Sequence, residues 1–242
     1  MSARTTGRTA GALFLLAYVA YLAGGALADS GSASTVVLSH AAGHQMQISA
    51  GALLMLVNSA AVIGIGVLVF PILKRHHEIS AYGYLTTQVA QAVMCAVGIV
   101  FLLLRVPLAQ EYADGGGHDT SVLPALARVA QEGNHYSFWI AMISVGAGGL
   151  LLCRVLLRER LVPAVMAVWG LAGYAIFLAG AMLEILGYSA GVVLSIPGGL
   201  FEIAFGALLI AKGFPAGQSR DYERLARHVP PAMTAPSHAP AP

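Results

Sequence analysis

Glu202 is a carboxylic acid within a long apolar segment, residues 190–211, of this 242-residue chain. At a rise of 1.5 Å per residue, it lies near the middle of a helix that would cross a bilayer. An ionisable group at that depth costs roughly 2.5 to 3.5 kcal/mol on insertion scales, which makes it a candidate functional residue. Removal from water favours the neutral carboxyl group, and a neutral carboxyl group can donate a proton. Glu202 is therefore the first candidate for acid or base chemistry.

The residues around Glu202 extend this candidate site. Pro197 removes an amide donor and is followed by two glycines, so we expect an interrupted helix with carbonyl groups free to bind water, an ion or a ligand. Asn58, Gln88 and Gln91 fall at a comparable depth on two other apolar segments. These amides could bind a ligand together with Glu202, or they could hydrogen-bond to it as ordinary contacts between helices. The sequence leaves both interpretations open.

A second group of polar residues falls near the exterior ends of three apolar segments. Arg105, His135 and Glu184 could line a vestibule that leads to Glu202, with an imidazole that exchanges protons near neutral pH. In the alternative interpretation, these long side chains reach water at the helix ends and Glu184 pairs with Arg105.

The sequence predicts no metal, cofactor or nucleic-acid partner. His40 and His44 have the spacing of a metal pair on a helix, but no glutamate lies between them and no Cys or nearby Asp completes a site. Cys95 and Cys153 have no ligand spacing and are interpreted as packing residues. A net charge of +2 without a basic stripe argues against nucleic acid. No phosphate-binding loop or nucleophile elbow is present.

Membrane-spanning helices are the elements that must position these residues. The chain is 57% hydrophobic and 10% charged, with a mean hydropathy of +0.75, whereas soluble domains carry about 25% charge. Its apolar blocks match a hydrocarbon core about 30 Å thick, which predicts an all-α polytopic membrane helix bundle. The six predicted transmembrane segments are residues 10–28, 48–73, 79–108, 135–157, 163–186 and 190–211. Between the third and fourth, a stretch around residues 123–129 could lie on the membrane surface.

The distribution of basic residues predicts the orientation, because cytoplasmic flanks retain Lys and Arg. Eleven of the 13 basic residues fall on one face of the six-helix arrangement, and Arg105 and Arg128 do not. We therefore expect a cytoplasmic N-terminus over residues 1–9, a transmembrane domain over 10–212 and a largely disordered cytoplasmic tail over 213–242. Residues 26–28 resemble a signal-peptidase site, so cleavage of the first segment stays an alternative.

Three stretches carry a family resemblance. Residues 6–14 read Thr-Gly-Arg-Thr-Ala-Gly-Ala-Leu-Phe, residues 161–163 read Leu-Val-Pro and precede Gly-Leu-Ala-Gly-Tyr at 170–174, and residues 202–213 run from Glu-Ile-Ala to Ala-Lys-Gly. Together they resemble the bacterial family catalogued as domain of unknown function 4386, over most of residues 6–214. The resemblance implies a multi-pass protein of the bacterial cytoplasmic (inner) membrane and no particular activity. His135 and Glu202 match polar positions of the family pattern.

Three functions fit these residues. The first is an enzyme that acts on a hydrophobic small molecule or lipid, such as an isoprenoid-type cyclase or isomerase, in which Glu202 donates a proton and Glu184 or His135 takes one back. Aromatic rings could line its pocket and stabilise a cation. The candidate rings are Tyr174, Phe177, Phe201 and Phe205. The second is a proton-coupled transporter, and the third is a non-catalytic membrane assembly subunit. Formation of a homo-oligomer is left open.

Overall fold

The computed structural model describes residues 3–28, 43–114 and 122–214, and every regular element in these ranges is an α-helix. The six helices are α1 (Ala3–Ala28), α2 (Gln45–His76), α3 (Glu78–Ala113), α4 (Val122–Arg158), α5 (Ala164–Ile185) and α6 (Gly191–Lys212). All six are long and apolar enough to cross a membrane. The predicted fold class, an all-α multi-pass membrane bundle, is confirmed.

The helices are arranged in a closed ring. Each helix packs against its neighbours in the sequence, and α6 returns to pack against α1. We call the end that carries the start of α1, the α2–α3 turn, the α4–α5 turn and the end of α6 the basic end, because it holds Lys74, Arg158 and Lys212. The other end is called the opposite end, and positions are described with the basic end at the bottom. A ring of this kind can enclose a site between its helices.

Glycines let the helices of the ring approach closely at two seams. Between α1 and α6, a Cβ added at Gly11 would lie 2.5 Å from the carbonyl oxygen of Gly206. Between α1 and α2, a Cβ added at Gly51 would lie 2.6 Å from the carbonyl oxygen of Gly24. Because no side chain fits at these distances, the glycines bring the two backbones into direct contact. The lower part of α1 is thereby held against α6 and its upper part against α2.

Packed side chains close the ring at the basic end. Phe201 and Phe205 of α6 are fully buried, and their rings stack with centroids 5.4 Å apart. Around them lies a cluster of buried residues that includes Tyr84 of α3, Leu156 of α4 and Tyr174 of α5. This cluster, which we call the basic-end core, forms a floor beneath the centre of the ring.

The α2–α3 turn at the basic end is fixed by local polar contacts. His77 precedes α3, and its Nδ1 accepts a hydrogen bond from the backbone N–H of Ser80 at 3.2 Å. Lys74 Nζ lies 3.3 Å from Glu78 Oε1, and His76 Nδ1 lies 3.2 Å from Glu159 Oε2 at the end of α4. His77 therefore fixes the start of α3, and His76 connects this turn to the α4–α5 turn.

Helices α3 and α4 are longer than the predicted membrane segments. Helix α3 continues to Ala113, and α4 begins at Val122 and runs unbroken to Arg158. The stretch around residues 123–129 is therefore the first part of α4, and the prediction of a separate surface segment is wrong. The physical reason is burial, because Ala109 and Ala127 are completely buried in one apolar cluster at the opposite end.

Helix α6 also differs from the prediction. It is continuous from Gly191 to Lys212 with Pro197 inside it, so the expected interruption before Glu202 is wrong. Packing against α5 supports the helix at this point, because a Cβ added at Gly173 would lie 3.2 Å from the carbonyl oxygen of Pro197. A proline is tolerated in a membrane helix where a neighbouring helix packs closely against it. His40, the glycine run at 115–117 and the tail from residue 215 lie outside the described residues.

Candidate functional site

A cavity of about 470 Å³ occupies the centre of the ring, above the basic-end core. All six helices contribute to its wall. Most of the lining is apolar, with side chains such as Val62 of α2, Val145 of α4 and Phe177 of α5. Glu202 of α6 lies at its lower end, next to Tyr84 and the basic-end core. We call this cavity the inner chamber.

Tyr174 of α5 is the hydrogen-bond partner of Glu202. Its buried hydroxyl donates to Glu202 Oε1 at 2.9 Å. Among the described residues no other hydrogen bond reaches this carboxyl group, and Glu202 is part of the chamber wall. The structure thus pairs Glu202 with a tyrosine rather than with Asn58, Gln88 or Gln91, which were the partners considered from the sequence.

The three predicted amides nevertheless lie in the same chamber as Glu202. Asn58, Gln88 and Gln91 all contribute to its wall. Gln88 Nε2 donates to the hydroxyl of Tyr84 at 3.2 Å, which fixes that amide beside the floor. Within residues 3–28, 43–114 and 122–214, Asn58 and Gln91 make no side-chain hydrogen bond. Their amide groups are therefore available to a molecule in the chamber.

A second cavity of about 440 Å³ lies beside the inner chamber, toward the opposite end. This outer chamber is more polar, and its wall includes Arg105, Gln131, Asn134 and His135. Asn134 Nδ2 donates to the carbonyl oxygen of Gly98 at 2.8 Å, which ties α4 to α3 at this level. The structure therefore brings two of the three predicted vestibule residues, Arg105 and His135, into one cavity.

The two chambers share part of their walls, and we call the shared residues the neck. Tyr21, Asn58, Cys95 and Phe138 line both cavities. The rings of Tyr21 and Phe138 stack with centroids 5.6 Å apart and an interplanar angle of 14°. A molecule that reached from one chamber into the other would pass this aromatic pair and the amide of Asn58.

Glu184 does not line either chamber. It lies at the end of α5, and its Oε2 accepts a hydrogen bond from the backbone N–H of Gly191 at 2.7 Å. Gly191 is the first residue of α6, so the carboxylate satisfies an N–H group that the helix itself leaves unpaired. A negative charge at a helix N-terminus is also favoured by the helix dipole. The geometry thus gives Glu184 a structural contact rather than a place beside Glu202.

The model of a family described as domain of unknown function (DUF4386) matches residues 9–213. The chain belongs to this family. The DUF4386 match covers α1 from Thr9 onward and the other five helices in full, and it includes Glu202, Tyr174 and both chambers. No curated protein and no solved structure matches the chain. The family description gives no activity, so the site geometry carries the functional argument.

Two features of the DUF4386 site were missed by reasoning from the sequence. Tyr174 was considered only as an aromatic wall residue, although a hydroxyl placed near a buried carboxyl group is a natural partner for it. Tyr21 and Phe138, which form the neck, were not singled out. Their apolar surroundings in the sequence give no signal that they meet across the ring. In the described part of the chain, no three His, Cys, Asp or Glu residues form a metal-binding group.

The contact of Glu184 leads to a stability prediction. We expect Glu184→Ala to lower the free energy of unfolding by about 1 kcal/mol, because it leaves the N–H of Gly191 without its acceptor. Glu184→Gln keeps an acceptor oxygen and should lose less. The thermal unfolding midpoint of the detergent-solubilised protein measures both. Glu132→Ala, at an exposed position of α4, is the control and should leave the midpoint unchanged. An unchanged midpoint in Glu184→Ala would contradict the contact.

Proposed function

We propose that this protein binds a hydrophobic small molecule or lipid in the inner chamber and that Glu202 exchanges a proton with it. One observation carries the proposal: a largely apolar cavity within a membrane bundle is lined at one end by a carboxyl group, and a tyrosine hydroxyl holds one of its oxygens. The volume of about 470 Å³ lies within the range of small-molecule sites, roughly 300 to 1,000 Å³. Apolar walls favour a lipid-soluble molecule, and the free amides of Asn58 and Gln91 can orient a polar group on it.

The reaction class that fits this site is an isomerisation or cyclisation of an isoprenoid-type molecule. Neutral Glu202 would add its proton to a carbon–carbon double bond and become a carboxylate. The faces of Tyr174 and Phe177, which also line the chamber, would stabilise the resulting carbocation. The carboxylate would then remove a proton from an adjacent carbon, which forms the new double bond and restores neutral Glu202. No oxidant or second reactant is needed.

The residues first considered as proton acceptors fit this scheme less well. Glu184 binds the start of α6 and lies outside both chambers. His135 lines the outer chamber, on the far side of the neck from Glu202. The scheme therefore uses Glu202 as both donor and acceptor, with Tyr174 holding one carboxyl oxygen. His135 and Arg105 are assigned to binding a polar part of the molecule.

The transporter alternative has less structural support. A carrier needs a route to both sides of the membrane, but the basic-end core fills the ring below Glu202. Helix α6, the expected broken helix, is continuous. We also propose that the basic end faces the cytoplasm of a bacterial inner membrane, because it carries Lys74, Arg158 and Lys212. That orientation places the outer chamber on the exterior side.

Copurification tests whether the inner chamber holds a molecule. The wild-type protein, purified in mild detergent and extracted with organic solvent, should yield a hydrophobic compound detectable by mass spectrometry. Val62→Phe places a ring in the chamber that Val62 lines, so we expect it to reduce the retained compound at least tenfold. Val62 is only 5% exposed and packs with Ala17 and Ala61, so we expect an overpacking cost of about 1 to 3 kcal/mol, and the retained compound is measured per mole of folded protein.

Val67→Phe is the matched control for this experiment. Val67 is on the same helix but is 56% exposed and lines neither chamber. It should retain the compound at the wild-type level. If Val62→Phe and Val67→Phe retain equal amounts, the compound is bound to the outer surface and the proposed site is wrong.

A further inference from the structure

The wall of the inner chamber is not uniformly buried. Most of its lining residues lie inside the ring, but four of them are more than half exposed. These four are Leu22 at 57%, Val192 at 69%, Ile196 at 53% and Leu200 at 53%. All of them belong to α1 or α6. A side chain that both lines a cavity and faces outward marks a place where the cavity opens, so the chamber opens between these two helices.

The packing of α1 and α6 explains the position of this opening. Near the basic end, the two helices touch at Gly11 and Gly206, and the rings of Phe14 and Phe205 meet edge to face at 5.6 Å. The lower edge of the opening is at Gly199 and Leu200, and a Cβ added at Gly199 would lie 3.2 Å from the hydroxyl of Tyr18. Above this level, the close contact between α1 and α6 ends, and the gap between the two helices leads into the inner chamber.

The upper halves of the two helices are held by other neighbours. Helix α1 is bound to α2 through Gly24 and Gly51, as described above. Helix α6 is bound to α5, because a Cβ added at Gly180 would lie only 2.6 Å from Cβ of Leu194. Among the described glycines, none brings α1 and α6 into close contact above Gly199. From Val192 to Gly199 the opening extends for about 10 Å along α6 at 1.5 Å per residue.

We propose that this opening, which we call the α1–α6 cleft, is a lateral entrance through which the hydrocarbon chain of a bilayer-dissolved molecule enters the inner chamber. The proposal rests on the proposed function and specifies the route and the substrate class. The cleft lies along membrane-spanning helices, and its edges are aliphatic, so it faces lipid rather than water. The ligand is accordingly an amphiphile or hydrocarbon of the bilayer, with a flexible chain narrow enough to pass between two helices.

The two tryptophans of the chain allow a direct test. Trp139 lines the inner chamber and is only 4% exposed, whereas Trp169 lies on α5 and is 39% exposed. The Trp169→Phe variant therefore reports on the chamber alone, and the Trp139→Phe variant reports on the outer surface. Each is reconstituted in phosphatidylcholine vesicles whose acyl chains carry bromine, which quenches tryptophan fluorescence on contact.

We expect brominated acyl chains to quench Trp139, and a narrowed cleft to reduce that quenching at least twofold. Leu22→Phe combined with Ile196→Phe narrows the cleft. The matched control combines Val19→Phe with Val193→Phe, because these residues are similarly exposed on the same helices but line neither chamber. In this control, Trp139 should be quenched as strongly as in the Trp169→Phe variant alone. In the Trp139→Phe background, quenching of Trp169 should be the same for the narrowed and the control variants. This shows that brominated lipid reaches the outer surface of both variants equally.

The outcomes separate this proposal from the proposed function. If acrylamide in the aqueous phase quenches Trp139 and brominated lipid does not, the molecule enters from water through the outer chamber and the lateral entrance is wrong. If brominated lipid quenches Trp139 equally in the narrowed and control variants, the cleft is also not the route. In both cases the loss of bound compound in Val62→Phe would still stand. Equal retention by Val62→Phe would instead overturn the proposed function while leaving the quenching result intact.

Discussion

Glu202→Gln is expected to lower the turnover of the copurified molecule by at least 100-fold, since a positioned acid or base contributes on the order of 10² to 10⁴ to a rate. Glutamine has nearly the same size, and its carbonyl oxygen can still accept the hydrogen bond from Tyr174. It cannot donate the proton that the isomerisation needs. The measurement is the ratio of isomers over time by chromatography and mass spectrometry. The variant should accumulate a single isomer.

The control for this prediction is another neutralised carboxyl group. Glu184→Gln removes a charge from the adjacent helix, outside both chambers, and should keep turnover within twofold of the wild type. The thermal midpoint of Glu202→Gln should stay near that of the wild type, because the change leaves the packing intact. Full turnover in Glu202→Gln would mean that the carboxyl group of Glu202 contributes to packing and takes no part in the reaction. If no conversion is found in the wild type, and Glu202→Gln abolishes proton-driven uptake in vesicles, the protein is a carrier.

The number of helices could be predicted from the sequence because membrane insertion is decided locally. A segment of about 20 apolar residues has one stable conformation in hydrocarbon, in which its backbone hydrogen bonds are made within the helix. The ends of α3 and α4 depend instead on packing. Ala109 and Ala127 look like ordinary loop residues in the sequence, yet both are fully buried against each other's helices. That burial comes from the tertiary fold and leaves no periodic signal.

The grouping of Glu202 with the three amides in one cavity wall follows from a similar count. Counting 1.5 Å per residue from the membrane surface places Glu202, Asn58 and Gln88 at one level, and the structure places them in one chamber. The rotation of each helix about its own axis was not predictable. Glu184 is at the level of Arg105 and His135, but its side chain reaches Gly191 instead of the outer chamber. Counting residues along a helix gives the depth of a residue but not the direction in which its side chain points.

The continuity of α6 shows the limit of a local rule. Pro197 and the two glycines after it predict an interruption, because each weakens a helix in water. In the bundle, Gly173 and Gly198 let α5 and α6 approach closely, and this packing supports the helix through the proline. Gly198, which the sequence suggests would free the backbone for a ligand, instead brings α5 and α6 together, and Gly199 lies against Tyr18 of α1. Glu202 therefore projects from a continuous helix, α6.

Gly149→Leu is expected to destabilise the protein and also to disable the site. A Cβ at Gly149 of α4 would overlap the ring of Tyr174, so any side chain there must displace the tyrosine from Glu202. Overpacking of this kind costs about 1 to 3 kcal/mol. We expect a lower thermal midpoint and loss of turnover. Ala147→Leu, two residues earlier on the same helix, should have a smaller effect on both, because Ala147 is partly exposed and lines no cavity.

A second substitution separates the two effects of Gly149→Leu. Tyr174→Ala alone removes a buried ring and should cost about 3 to 5 kcal/mol, as truncation of large aromatic residues does. In the combined variant the leucine fills part of the space left by the ring, so we expect the two losses of stability to be less than additive by about 0.5 to 3 kcal/mol. Turnover should remain low, because Glu202 still lacks its hydroxyl partner. Strictly additive losses would mean that Gly149 and Tyr174 are not in contact, and recovery of turnover would mean that Tyr174 only fills space beside Glu202.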